Sequence, residues 1–129
     1  MPYELSFTAR VPARPREQYI NDCCVGGDAV IDRLLPVIRE RYTGIDAGEE
    51  DWGWFIWFQA GRVKLAVDVF TDDPEAGEFR VHLTSRRKRR FFGQAIADTP
   101  ELEDLRELVV RVLERGFGTP VHVERVDEK

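Results

Sequence analysis

The strongest chemical signal in the sequence is a run of five consecutive cations in front of two phenylalanines. The run consists of Arg86, Arg87, Lys88, Arg89 and Arg90. Cations beside aromatic rings can bind the phosphates of single-stranded nucleic acid while bases stack on the rings, and they can also contact an acidic protein surface. A third interpretation is structural, because charges at the end of a strand protect a sheet edge against aggregation. The run alone is compatible with all three.

The charge of the whole chain weighs against a dedicated nucleic-acid binder. The 129 residues carry a formal net charge of -5 and the pI is about 5.1, whereas such binders are usually basic and many carry an aromatic-glycine signature that this sequence lacks. Nucleic-acid binding therefore stays an alternative, with Arg86–Arg90 on the phosphates. The stacking platforms would then be Trp57, Phe55, His82 or Phe91.

A second chemistry would need Asp68 and His82 on neighbouring strands. A carboxylate beside an imidazole can shift either pKa and can act as a general acid or base. Since the sequence has two histidines, a metal site would have to combine His82 and His122 with Asp68 or Glu124 across strands. No glycine-rich phosphate loop, GxSxG or HExxH motif occurs. We therefore expect no cofactor and no metal, and keep an acid/base enzyme built on Asp68 and His82 as a second alternative to a non-enzymatic protein.

The remaining sequence signals predict a cytoplasmic protein without membrane contact. No apolar run approaches the roughly 18 residues of a membrane span, and the N-terminus does not resemble a signal peptide. Cys23 and Cys24 are adjacent, so they cannot join distant parts of the fold, and they lack the CxxC spacing of a zinc or redox site.

Composition predicts one globular domain over residues 1–129. Hydrophobic residues make up 43% of the chain and charged residues 33%, which is typical of globular proteins. A domain of this length buries roughly two-thirds of the surface that its unfolded chain exposes, which is enough for a core.

Two helices are predicted from apolar spacing and from their end signals. The first runs from an N-cap at Asp28 to about Gly44, and Pro36 within it predicts either a kink or a later start. The second has Thr99 as N-cap, then a proline, acidic residues in its first turn and an end at Gly116.

Five strands are predicted from alternating patterns, and residues 46–51 are predicted to be an acidic loop. The strands are residues 3–11, 51–59, 62–70, 78–86 and 121–124. The order is βαβββαβ. Because two amphipathic helices need one apolar sheet face to cover, we predict an α+β two-layer sandwich, in which a mostly antiparallel five-stranded sheet carries both helices on one face.

Hairpin patterns then predict which residues face away from the helices. A turn at Ala60–Gly61 pairs one apolar set of each strand on the covered face, namely Phe58 with Val63, Ile56 with Leu65, Trp54 with Val67 and Trp52 with Val69. In the next hairpin Asp68 lies opposite Arg80, or opposite His82 if the register slips by two residues. The opposite, open face receives Phe55, Trp57, Gln59, Lys64, Ala66, Asp68, Arg80, His82, Thr84 and Arg86.

The open face predicts the function that we favour. Trp57 beside Phe55 and Lys64 is more apolar area than a solvated face usually keeps, and such patches often meet partners. We expect a protein-interaction module whose partner is another protein or a second copy of the chain. The predicted partner-binding residues are Phe55, Trp57, Lys64, Arg80, His82, Arg86, Arg87, Lys88, Arg89 and Arg90.

Overall fold

The computed structural model describes residues 2–11, 15–19, 24–89 and 93–126. Its strands are β1 (Tyr3–Thr8), β2 (Thr43–Glu50), β3 (Gly53–Ala60), β4 (Val63–Asp73), β5 (Glu78–Arg89), β6 (Gly93–Ile96) and β7 (His122–Arg125). Its helices are α1 (Gly27–Arg41), α2 (Pro100–Phe117) and a short 3-10 helix at Arg16–Gln18. The predicted α+β class is confirmed, but the sheet has seven strands rather than five.

The sheet is antiparallel and its order is β2-β3-β4-β5-β1-β7. The additional strand β6 pairs with the end of β5, at Arg86–Arg89. β1 pairs with the beginning of the same strand, at Glu78–Leu83. β1 and β6 therefore share one side of β5, while β4 occupies the other.

The two strands missing from the predicted order have weak sequence signals. Residues 46–51 were expected to be a loop because they are acidic, but Thr43–Glu50 forms strand β2 along β3. Acidic residues and glycine have low β-propensity, yet the backbone groups of β3 need hydrogen-bond partners on that side. β6 is four residues long, too short for an alternating pattern to reveal.

α1 differs from the prediction at both ends, since it also ends at Arg41 rather than at about Gly44, and α2 differs at its C-terminal end. α1 follows Gly26, which has a φ of 90°, so Asp28 lies in the first turn instead of capping the helix. Pro36 stands inside α1, and the helix does not start after it. The predicted start of α2 is confirmed, because Thr99 accepts a hydrogen bond from the Leu102 backbone N–H at 3.0 Å. α2 ends at Phe117 rather than at Gly116.

The core lies between the helices and one face of the sheet. Each helix contributes a buried apolar stripe, which is Val30, Ile31, Leu34 and Ile38 in α1 and Leu102, Leu105, Val109 and Leu113 in α2. These stripes pack in one cluster with sheet residues such as Leu5, Ile56, Val67, Val81 and Leu83. Neither α1 nor α2 covers the opposite face of the sheet.

The predicted register is wrong by two residues in one hairpin. Ala60 pairs with Val63, so the two-residue turn is Gly61–Arg62 and not Ala60–Gly61. Gly61 has a φ of 62°, and the first position of such a loop favours glycine when φ is positive. A shift of two residues keeps every side chain on its face, because side chains alternate along a strand.

The next hairpin adopts the second of the two registers considered above. Val69 pairs with Val81, which places Asp68 opposite His82. Asp68 is not opposite Arg80, which pairs instead with Phe70.

Candidate functional site

The site is built on the open face, the side of the sheet that the helices do not cover. One line of cross-strand neighbours, here called the central row, crosses five strands and consists of Phe55, Asp68, His82, Glu4 and Glu124. Directly opposed residues have Cβ atoms about 4.5–5.5 Å apart. His82 therefore lies between two carboxylates, Asp68 on β4 and Glu4 on β1.

Trp57 is the most exposed large apolar side chain of this region. Its relative exposure is 42%. The indole Nε1 donates a hydrogen bond to Oδ1 of Asp68 at 3.0 Å, and the ring packs on Phe55 at a centroid distance of 4.2 Å. Two independent contacts therefore fix the orientation of an indole that remains open to solvent.

Phe55 lies on the open face as predicted, but it is not an exposed aromatic. Its relative exposure is 7%, because Trp57 packs on its ring and Gly48 of β2 lies against it. A Cβ added to Gly48 would stand 3.3 Å from the Phe55 ring, so the glycine makes room for the ring. Phe55 therefore supports the indole of Trp57, and its predicted role as a contact residue stays a prediction.

A pocket of about 330 Å³ opens beside Trp57. Its centre is Ala66, a small residue between Trp57 on β3 and Thr84 on β5. The surrounding polar side chains are Asp46, Gln59, Lys64, Asp68, Thr84 and Arg86. An indole wall with cations on one side and carboxylates on the other suits a side chain that is both flat and polar.

Trp52 is also exposed, against the prediction that it belongs to the covered face. Its relative exposure is 40%, and its ring contacts Phe70 at a centroid distance of 5.2 Å. Phe70 is on the open face, because it lies opposite Arg80, whose guanidinium stands 4.4 Å above the phenyl ring. We call Trp52, Phe70 and Arg80 the aromatic ridge. Phe70 is not among the residues predicted for the open face, although alternation from Ala66 and Asp68 indicates this position.

Arg80 was predicted as a contact residue of the basic surface, and its surroundings are acidic. Its guanidinium pairs with Asp72 at 3.4 Å and with Glu4 at 3.9 Å. Its charge is therefore largely compensated within the chain, and its structural contribution is to the ridge.

Four residues of the basic run, Arg86–Arg89, lie on β5 where this strand pairs with β6. Arg86 and Arg87 are exposed, and they lie between β4 and β6, with Arg86 opposite Lys64 and Ile96. The backbones of Lys88 and Arg89 continue β5 and pair with β6. Arg90 and Phe91 lie outside the described residues.

Charges on and around the open face separate along the strand direction. The end at which β4 begins carries the exposed cations Arg62, Lys64, Arg86 and Arg87. The other end carries the exposed carboxylates Glu50, Asp51, Asp72, Asp73 and Glu78. We call these the cationic end and the acidic end. Such a surface orients a charged partner as it approaches.

The acid/base pair predicted from sequence is adjacent but does not share a pocket. The described residues that line the pocket include Asp68 and not His82, and one Asp68 oxygen already accepts the indole hydrogen bond. Across the part of the chain that the structure describes, no group of three or more His, Cys, Asp or Glu side chains is placed to hold a metal ion.

Comparison with models of protein families, with curated proteins and with solved structures gives no match to this chain. Among the described residues, neither helix is both long enough and apolar enough to cross a bilayer.

Proposed function

We propose that this chain is a non-enzymatic protein-interaction module that binds another protein through the open face. The observation that carries the proposal is Trp57, which is 42% exposed and yet held by Asp68 and Phe55. A large aromatic side chain that is already fixed loses little conformational entropy on binding, and such residues dominate the binding energy of many interfaces.

The surroundings of Trp57 fit a protein partner. The pocket over Ala66 has room for one large side chain from the partner. Lys64, Arg86 and Arg87 at the cationic end would steer an acidic surface towards it, which raises the association rate more than the affinity. Lys88, Arg89 and Arg90 extend this end in the sequence, and His82 borders it in the central row.

Single-stranded nucleic acid is the second candidate, favoured by the indole beside Lys64 and Arg86. Two features disfavour it relative to a protein. Asp46 and Asp68 line the same pocket and would repel phosphates, and the covered ring of Phe55 leaves one fewer platform for stacking. An oligonucleotide whose affinity falls steeply with added salt would support this candidate. An acid/base reaction at Asp68 and His82 is not favoured, because the two groups do not line one cavity.

The test of the proposal is a Trp57→Ala variant. We expect its affinity for a purified partner, first captured with the wild-type chain, to fall about 30-fold, which corresponds to about 2 kcal/mol for a central aromatic contact. Isothermal titration calorimetry measures the dissociation constant. The matched control is Arg111→Ala, an exposed residue of α2 outside the open face, which should bind like the wild type. Equal affinity of Trp57→Ala and wild type would overturn the proposal.

A further inference from the structure

We infer that a second copy of this chain binds the open face, with the two sheets face to face and their strands pointing in opposite directions. The inference rests on the proposed function, since it names a partner for the same surface. It is carried by three properties of the face, which are the symmetry of its charges, the match between its pocket and its ridge, and its area.

The charges of the open face are opposite in sign on the two sides of the central row. Four residues from Asp68 along β4 lie Lys64 in one direction and Asp72 in the other. Four residues from His82 along β5 lie Arg86 and Glu78. All four of these charged residues are exposed, and the ion pair with Arg80 places Asp72 on this face. Because Asp68 and His82 are register partners, both charge pairs are centred on the same row.

A two-fold axis along the central row would place each of these four charges opposite a charge of the other sign on the second copy. The axis would lie in the interface and run across the strands, so that Lys64 of each copy faces Asp72 of the other and Arg86 faces Glu78. In a two-fold interface each contact occurs twice by symmetry. An axis parallel to the strands would instead place the two cationic ends together, which electrostatic repulsion disfavours.

The same axis brings the pocket of one copy over the aromatic ridge of the other. Ala66 and Phe70 lie two residues on either side of Asp68. The axis therefore places the pocket at Ala66 of one copy over the Phe70 ring of the other. The pocket has a volume of about 330 Å³. In the ridge, the ring centroids of Phe70 and Trp52 are 5.2 Å apart, and Cζ of Arg80 lies 4.4 Å from the centroid of the Phe70 ring. Arg80 of the ridge then lies over Thr84, a residue that lines the pocket, because these two residues lie two positions on either side of His82.

The area of the face agrees with a two-fold dimer. Six strands spaced about 4.8 Å apart and about eight residues of about 3.4 Å each give a face of roughly 780 Å², close to the roughly 800 Å² that each partner of a standard interface buries. On the axis the groups of the central row meet their own symmetry mates, so the carboxylates of Asp68, Glu4 and Glu124 each face a like charge, and His82 lies between two of them in each copy. This repulsion opposes the attraction between the two ends of the face. Since this row is polar, we expect a dissociation constant in the micromolar range.

The test is a charge exchange between Arg86 and Glu78, measured by sedimentation equilibrium at low salt. We expect the wild type to dimerise, and Arg86→Glu and Glu78→Arg each to dimerise at least tenfold more weakly, because each single variant places like charges opposite one another twice. An equimolar mixture of the two variants should recover the dimer, because the new acid of one chain then faces the new base of the other. Circular dichroism and urea unfolding check that both variants fold, and Arg111→Glu on α2 is the charge-matched control.

Three outcomes overturn the inference. These are a wild type that stays monomeric, single variants that dimerise like the wild type, and a mixture that associates no better than its components. A monomeric wild type that still binds a different protein, and loses that binding in Trp57→Ala, would overturn self-association while leaving the proposed function standing.

Discussion

At the residue scale, glycines decide where the aromatic rings of this protein can lie. Gly27 opens α1 directly beneath Trp54, and a Cβ built on it would stand 2.4 Å from Cδ1 of the indole. The indole Nε1 donates a hydrogen bond to the Cys24 carbonyl oxygen at 3.0 Å, so the ring is not free to move aside. Gly48 of β2 likewise leaves room for the Phe55 ring on β3. Because Trp57 packs on that ring, Gly48 also influences where the Trp57 indole lies.

We expect Gly27→Ala to lower the free energy of unfolding by about 1–3 kcal/mol, the usual effect of overpacking a filled site. The gain in helix propensity, about 1 kcal/mol at most, does not offset it. Urea denaturation measures the change. The control is Gly116→Ala in α2, where the closest atom to a new Cβ is the flexible Arg33 Cδ at 3.3 Å, and this variant should be neutral or slightly more stable. If Gly27→Ala is as stable as the control, the indole is not fixed as described.

At the scale of elements, the start of α2 is joined to the sheet through one threonine. Thr99 accepts a hydrogen bond from the Leu102 N–H at 3.0 Å and donates one to Ser85 Oγ of β5 at 3.1 Å. Ser85 in turn donates to the Ala97 carbonyl oxygen. The cap therefore orders the helix and also the connection from β6.

We expect Thr99→Ala to destabilise the protein by about 1–2 kcal/mol, the range for removal of an N-cap. Thr99→Ser keeps the hydroxyl and both hydrogen bonds, so it should lose less than about 0.5 kcal/mol by comparison of cap residues. Thermal and urea unfolding of the two variants give the values. A serine variant as unstable as the alanine variant would show that the methyl group, and not the hydroxyl, is what stabilises this position.

The sequence predicts the sheet face on which a residue lies better than the residue with which it pairs on the next strand. Alternation places Trp57, Asp68 and His82 on one side of the sheet, and the structure has them there. Alternation has a period of two, so it cannot distinguish a turn at Ala60–Gly61 from the observed turn at Gly61–Arg62. Strand β2 is not predicted from the sequence for a different reason. Its acidic residues have low β-propensity, and it forms a strand because it pairs with β3.

The depth of a side chain is even less accessible to a sequence pattern. Phe55 and Trp57 occupy equivalent positions in the pattern, yet one is covered and the other is open. The difference depends on Gly48 on the next strand and on the hydrogen bond from the indole to Asp68. Both are contacts between strands, so they become predictable only once the register is known.

At the scale of the whole molecule, Tyr3 connects both terminal strands to α2. Its hydroxyl donates a hydrogen bond to the Glu103 carboxylate at 2.7 Å and accepts one from Arg125 Nη1 of β7 at 3.2 Å. The Arg125 guanidinium stands 4.3 Å above the ring. Burial, and then the hydrogen bond to Glu103, raise the pKa of the Tyr3 hydroxyl above its usual value.

This shift predicts how stability changes in alkaline solution. In the unfolded chain tyrosine loses its proton at a pH of about 10, whereas the folded state holds it to higher pH, so the folded state binds more protons in that interval and stability falls as pH rises through it. Burial also raises the pKa of Tyr42, so Tyr3→Phe should remove part of this slope. Urea unfolding between about pH 8 and pH 11 spans the interval. At neutral pH the variant should lose about 1 kcal/mol for its hydrogen bonds. An unchanged alkaline slope in Tyr3→Phe would contradict the assignment.

The position of β1 inside the sheet has a consequence for biosynthesis. Leu5 pairs with Val81 on one side and with Val123 on the other, so β1 is synthesised well before both of the strands with which it pairs. Loop closure over such sequence separations is slow relative to local helix formation. Until β7 has been translated, one edge of β1 lacks the strand with which it pairs in the folded protein. Such an open edge can pair with a strand of another chain, so we expect aggregation to compete with folding at this stage.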